Sequence, residues 1–81
     1  MLKLNVRTKS KAEEVVKEAL EFFGPGGYGL KVTEQSATCA HFEGGGGEIK
    51  VTACHDDEGT SVDIETVEWE YQVKEFAGKI K

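Results

Sequence analysis

The sequence predicts an α+β fold. The expected form is a two-layer sandwich of order β-α-β-β-β-β-α, in which an antiparallel five-stranded sheet carries two helices on one face. Three observations predict it. Apolar residues recur with a period of two at the start of the chain and again through its centre, and with helical spacing in two other segments. Glycine-rich or acidic turns separate the alternating segments. A count of directions then closes the sheet. With the first strand running up and the first helix returning down, four hairpin-linked strands run up, down, up and down. The last strand therefore lies antiparallel to the first and can pair with it.

Each element has its own signal. Leu2, Leu4 and Val6 alternate with Lys3, Asn5 and Arg7, a strand with one buried face. Ser10 with Glu13 three residues on has the form of a capping box, so a helix is expected to start at Ser10. Ala12, Val15, Val16, Ala19, Leu20 and Phe23 make its apolar stripe, and Glu13–Lys17 a surface pair. Gly24, expected in the left-handed conformation, and Pro25 end it. Residues 24–29 read as a loop. The long alternating stretch that follows is broken at its polar middle, residues 35–37, into strands 29–34 and 38–43. The four glycines 44–47 form the next turn, residues 48–54 a strand, 55–59 an acidic turn and 60–65 the last strand. The second helix is expected over 67–80, with Trp69, Val73, Phe76, Ala77 and Ile80 on one face. Glu68 and Glu70 at its start and Lys79 and Lys81 at its end suit the helix dipole, and Glu70–Lys74 and Glu75–Lys79 are spaced as surface pairs.

The elements in this order resemble the helix-grip arrangement, and one half of the TATA-binding-protein fold: strand, helix, strands, long C-terminal helix. The Gly44–Gly47 turn and a helix opening with Trp69-Glu70-Tyr71 look like those of small helix-grip proteins of the lipid-transfer and cyclase type. The resemblance covers nearly the whole chain through element order, and no functional residue carries over from it.

Size and charge narrow the function. The 81 residues make a single domain, 1–81, which must commit most of its apolar side chains to one core. Fifteen acidic against ten basic residues give a net charge of −5, which argues against nucleic acid or an anionic membrane as partner. The start of the chain lacks a signal peptide's apolar stretch, and a cytoplasmic location is expected. Monomer and homodimer are both compatible with the sequence.

The densest group of reactive side chains is Cys39, His41, Cys54 and His55. A hairpin turn at the four glycines sets Glu43 opposite Glu48, His41 opposite Lys50 and Cys39 opposite Thr52, with Cys54 diagonal to Cys39 on the same outward face. Cysteine and histidine suit zinc or copper. Their spacing matches no zinc knuckle or finger and Lys50 stands among them, so the face is expected to be inert, with no metal and no cofactor. Nor does Cys39 beside His41 bring the third orienting group or oxyanion hole that nucleophilic catalysis requires. The glycines read as a helix cap and a hairpin turn rather than a phosphate loop, which would precede a helix and end in Lys-Ser/Thr.

The aromatics divide in two. Phe23, Trp69 and Phe76 fall on core stripes, with Trp69 expected to be largely buried. Phe22, Tyr28 and Tyr71 fall off the stripes and are the candidate ligand or partner surface. The expected function is non-enzymatic: binding of a small apolar ligand or a protein partner at the helix–sheet groove. The alternative is a metal-binding or thiol-dependent protein using the Cys39/His41/Cys54 face.

Overall fold

The computed structural model describes residues 1–80. The elements are β1 (Leu2–Thr8), α1 (Ala12–Phe23), β2 (Lys31–Gln35), β3 (Cys39–Gly44), β4 (Gly47–Asp56), β5 (Gly59–Val67) and α2 (Glu70–Ile80). The strands form one antiparallel sheet in the order β1-β5-β4-β3-β2, the closure that the direction count allows.

The pleat sorts side chains between the faces. Val6 pairs with Val62, Leu4 with Ile64, Ile64 with Val51, Val51 with Ala40, and Phe42 with Ile49. This face packs against both helices. Val15, Val16, Ala19 and Phe23 of α1 and Val73, Phe76, Ala77 and Ile80 of α2 join it in one buried core. Full burial of a side chain such as Phe76 stabilises the fold by about 1.5–3 kcal/mol. The opposite face carries Lys3, Glu65, Lys50, His41 and Glu34 side by side across all five strands.

Several local expectations are corrected. Helix α1 begins at Ala12 with Lys11 in the cap position and no side-chain cap, so Ser10 and Glu13 do not form a capping box. One local and one distant partner claim the Ser10 backbone instead. Its N–H donates to Thr8 Oγ1 at 3.2 Å, and its carbonyl accepts from Thr60 Oγ1 at 2.6 Å. Gly24 ends the helix with φ −73°, not left-handed; the left-handed residue is Gly29, at φ 82°. Gly24 is needed for room, because a Cβ there would collide with the Leu20 carbonyl oxygen. The long β segment is broken as expected but at residues 36–38, one residue later, since Gln35 of β2 still pairs with Ala40. Strand β2 begins at Lys31 rather than 29, and Ser36 N–H bonds to the Cys39 carbonyl across the break. The β2–β3 register slips between Val32 and Glu34, a bulge that nothing in the local sequence signals. Strands β4 and β5 are longer than the alternation implies, and their turn narrows to Asp57-Glu58.

Helix α2 starts at Glu70 rather than 67. Glu68 adopts φ 73°, a conformation uncommon for a residue with a side chain, and Trp69 occupies the helix entrance, half-buried rather than largely buried. The Trp69 carbonyl accepts the first helical bond, from Val73 N–H. Charges on α2 reach across to neighbours rather than along the helix. Glu75 accepts from the Tyr28 hydroxyl at 2.9 Å, and Lys79 Nζ lies 5.4 Å from the centre of the Phe22 ring. Lys81 lies outside the described residues.

Candidate functional site

Three surfaces bring chemistry-bearing side chains together. The first is aromatic. Helix α1 ends in Phe22-Phe23, the 24–29 loop folds back onto that end, and α2 begins beside it. The loop is held by Tyr28 N–H to the Phe22 carbonyl and Leu30 N–H to the Phe23 carbonyl. Phe23 packs on Phe42 and Phe76 at 5.5 and 5.2 Å between ring centres. Phe22 meets Phe76 edge-on at 5.5 Å and stacks with Tyr28 at 5.4 Å. Tyr28 then touches Trp69 at 5.9 Å. Offset and edge-to-face contacts of this kind add to the area that the rings bury.

Trp69 is seated by glycine. Its Nε1–H donates to the Gly44 carbonyl at 2.9 Å. A Cβ on Gly45 would stand 3.0 Å from the indole, and one on Gly47 would collide with the Val67 carbonyl. Gly45 and Gly46 take φ 59° and 82°, the positive pair that a two-residue hairpin needs. The glycine run thus makes the turn and also admits the tryptophan, a second role that turn chemistry does not disclose.

Of the three aromatics expected at the surface, Phe22 is half-buried within the cluster, while Tyr28 and Tyr71 are 44% and 70% exposed. The bond to Glu75, reinforced by burial and by the charges of Glu75 and Tyr71, holds the Tyr28 hydroxyl above the usual phenol range.

The second surface lies at the other end of the helices. A cleft of about 590 Å³ opens between the β1–α1 connection and the end of α2, lined by Arg7, Thr8, Ser10, Glu18, Glu58 and Lys79 among others. Thr60 bridges there, donating to the Ser10 carbonyl while His55 Nδ1 lies 3.3 Å from its oxygen. Beside it, Arg7 clasps Asp56 with two bonds of 3.2 and 3.0 Å. The bonds from Arg7 and from the Glu58 backbone N–H hold the Asp56 carboxyl below its ordinary range.

The third surface is the open sheet face. The expected cross-strand pairs form: Cys39 with Thr52, His41 with Lys50 and Glu43 with Glu48. Cys39 is half-buried and Cys54, which pairs with Ser61, is exposed. His55 belongs to the inner parity of β4 and turns to Thr60, away from the cysteines. Among the described residues the group whose ligand atoms converge is His41, Glu43 and Glu48, all within 4.8 Å of one another, and neither cysteine joins it. The alternating pattern marks the thiols and imidazoles as soft ligands, while the glycine turn already sets the two glutamates face to face.

No protein-family model, curated protein or solved structure matches the chain. Among the described residues, no helix is long and apolar enough to cross a membrane.

Proposed function

We propose that the chain is a non-catalytic binding module that engages a protein partner through its aromatic end, with Tyr28 and Tyr71 as the contacting side chains. The observation that carries this reading is their exposure, 44% and 70%, with Tyr28 packed on Phe22 and Trp69 and Tyr71 in the first turn of α2, two residues after Trp69. Tyrosine supplies a large, rigid and amphipathic contact at small entropic cost, and it is enriched in interfaces for that reason. Tyr28 is also held in place before any partner arrives, by Phe22 and Trp69 and by its bond to Glu75. A protein partner is favoured over a small apolar ligand because Val73, Phe76 and Ala77 already fill the space beneath α2, so that a ligand entering from this end would have to displace Tyr28.

A photoreactive amino acid at position 71 tests the proposal, with cross-linked partners identified from cells of the source organism and confirmed with purified protein. The expected result is one specific partner whose binding is lost in Tyr71→Ala while the melting temperature is unchanged. Binding that survives in both Tyr71→Ala and Tyr28→Ala overturns it. Backbone chemical shifts that respond to apolar small molecules around Tyr28, with no protein partner found, would transfer the site to a small ligand.

A further inference from the structure

The hairpin of β3 and β4 places three metal-binding side chains together on the open sheet face, away from the aromatic end. Its geometry follows from the turn. Gly45 and Gly46 form a two-residue connection closed by the Gly44–Gly47 pair. In such a hairpin the closing pair exchanges both backbone hydrogen bonds, so the next pair, Glu43 with Glu48, is of the non-hydrogen-bonded kind. Side chains approach most closely there, at about 4.5 Å between Cα atoms. Two carboxylates therefore face each other where opposed like charges destabilise a sheet. His41, two residues along β3 on the same face, directs Nε2 to within 3.7 Å of Glu48 Oε2.

The neighbouring lysines do not reach the pair within ion-pair distance. Lys31 stands opposite Glu43 and Lys50 opposite His41. The lysine and arginine ion pairs among the described residues are Lys3–Glu65 and Arg7–Asp56, so neither Lys31 nor Lys50 is paired with these carboxylates.

We propose that His41, Glu43 and Glu48 bind a divalent first-row transition ion of the zinc type. One imidazole nitrogen and two carboxylate oxygens form a borderline ligand set that suits Zn²⁺, whereas Mg²⁺ and Ca²⁺ favour oxygen alone. Ligands about 2.0–2.2 Å from zinc in tetrahedral geometry lie roughly 3.4 Å apart. The 3.7 Å between His41 and Glu48, and the 4.8 Å limit for the whole trio, need only side-chain adjustment to reach that spacing. Three protein ligands leave the fourth position to water on the solvent side. The ion would also replace the Glu43–Glu48 repulsion with two attractions. This places a nitrogen–oxygen set where the sequence points to thiols, and Cys39 and Cys54 take no part.

Calorimetric titration of the full chain with ZnCl₂, read together with the absorption of the Co²⁺ form, tests the assignment. The expected result is one ion per chain, a raised melting temperature, and a Co²⁺ spectrum without thiolate charge-transfer bands. His41→Ala and Glu48→Gln should each weaken binding by more than about tenfold, a loss that even second-shell changes can cause. Glu48→Gln separates ligation from a structural role: without metal its melting temperature should equal or exceed that of the parent, because the repulsion is gone, yet zinc should no longer raise it. The double variant Cys39→Ser/Cys54→Ser should bind as the parent does. No heat and no thermal shift at millimolar zinc overturns the proposal, as does binding that survives Glu48→Gln or is lost with the cysteines.

Discussion

The two ends of the helix layer are built from opposite materials. At one end, Phe22, Phe23, Tyr28, Phe42, Trp69 and Phe76 touch ring to ring, and the surface is closed. At the other, Thr8, Ser10 and Thr60 join the β1–α1 connection to β5 through hydrogen bonds, beside a charged cleft. Ring packing depends on shape, and the closed end accordingly recruits glycine wherever the indole must approach the backbone. Hydrogen bonding depends on pairing, and the open end recruits threonines whose hydroxyls reach backbone groups. Similar stability can arise from either, but the two fail differently: a packed cluster through cavities, a hydrogen-bonded one through unpaired polar atoms.

The largest expected effect breaks the closed end. Trp69→Ala removes an indole that contacts Tyr28, packs on the glycine turn and donates to the Gly44 carbonyl. It should cost about 3 kcal/mol in urea denaturation, the lower part of the range for aromatic truncation, because Trp69 is only half-buried. A loss below about 1 kcal/mol, typical of a surface change, would show that the cluster holds without its tryptophan.

The matching change at the open end is Thr60→Val, which keeps the shape and deletes the hydroxyl. The Ser10 carbonyl loses its donor and His55 its partner in a part-buried place. About 1–2 kcal/mol should be lost, the cost of leaving such a group unpaired. Hydrogen exchange should show the first turn of α1 opening more readily while amides near Trp69 keep their protection. Uniform loss of protection across both helices would mean that the ends are not separable.

This contrast also explains what was legible in the sequence. Period-two and helical spacing reveal the strands, both helices and the sheet order, because the core selects inward positions and every inward position must be apolar or satisfied. The alternation even places Thr60 on the inner face, in line with Val62 and Ile64, and the longer β5 continues that face to Thr66. Distant partners are what local rules miss. Ser10 and Glu13 satisfy a capping pattern, but Thr60, fifty residues away, takes the Ser10 carbonyl. The glycines announce a turn, while the indole they admit arrives from 25 residues further along. Glu68 at positive φ and the bulge after Val32 have no sequence signal, since each is imposed by where the next element has to lie. For the candidate surfaces, Tyr28 and Tyr71 were visible as aromatics off the stripes. The His41 trio was visible only as a register, in which the cysteines drew attention from the glutamates.

The ends should also respond to pH in opposite directions, with smaller effects because both pairs are exposed. Tyr28 is held above the usual phenol range by its bond to Glu75, so the stability it contributes is complete below about pH 10, the unfolded value, and disappears as the pH rises through the folded one. Asp56 is held low by Arg7, so its contribution is complete above about pH 4 and disappears as the pH falls through its depressed folded value. Tyr28→Phe should therefore flatten only the alkaline limb of the stability profile, and Asp56→Asn only the acid limb. Either variant flattening the other limb would contradict the assignment of these pairs.

The smallest expected effect is the most discriminating for the open end. If Ser10 were a helix cap, Ser10→Ala would cost about 0.5–2 kcal/mol. Instead its N–H and carbonyl carry the interactions and its hydroxyl is in no hydrogen bond among the described residues. Alanine preserves both backbone groups, so the change should stay within about 0.5 kcal/mol, as surface substitutions do. The double variant Ser10→Ala/Thr60→Val should then equal the sum of the singles within about 0.5 kcal/mol, because the two side chains meet only through the Ser10 carbonyl, which neither substitution removes. A coupling of 1 kcal/mol or more would place the Ser10 hydroxyl in the network after all. The connection would then depend on a side chain that the capping pattern had pointed to for a different reason.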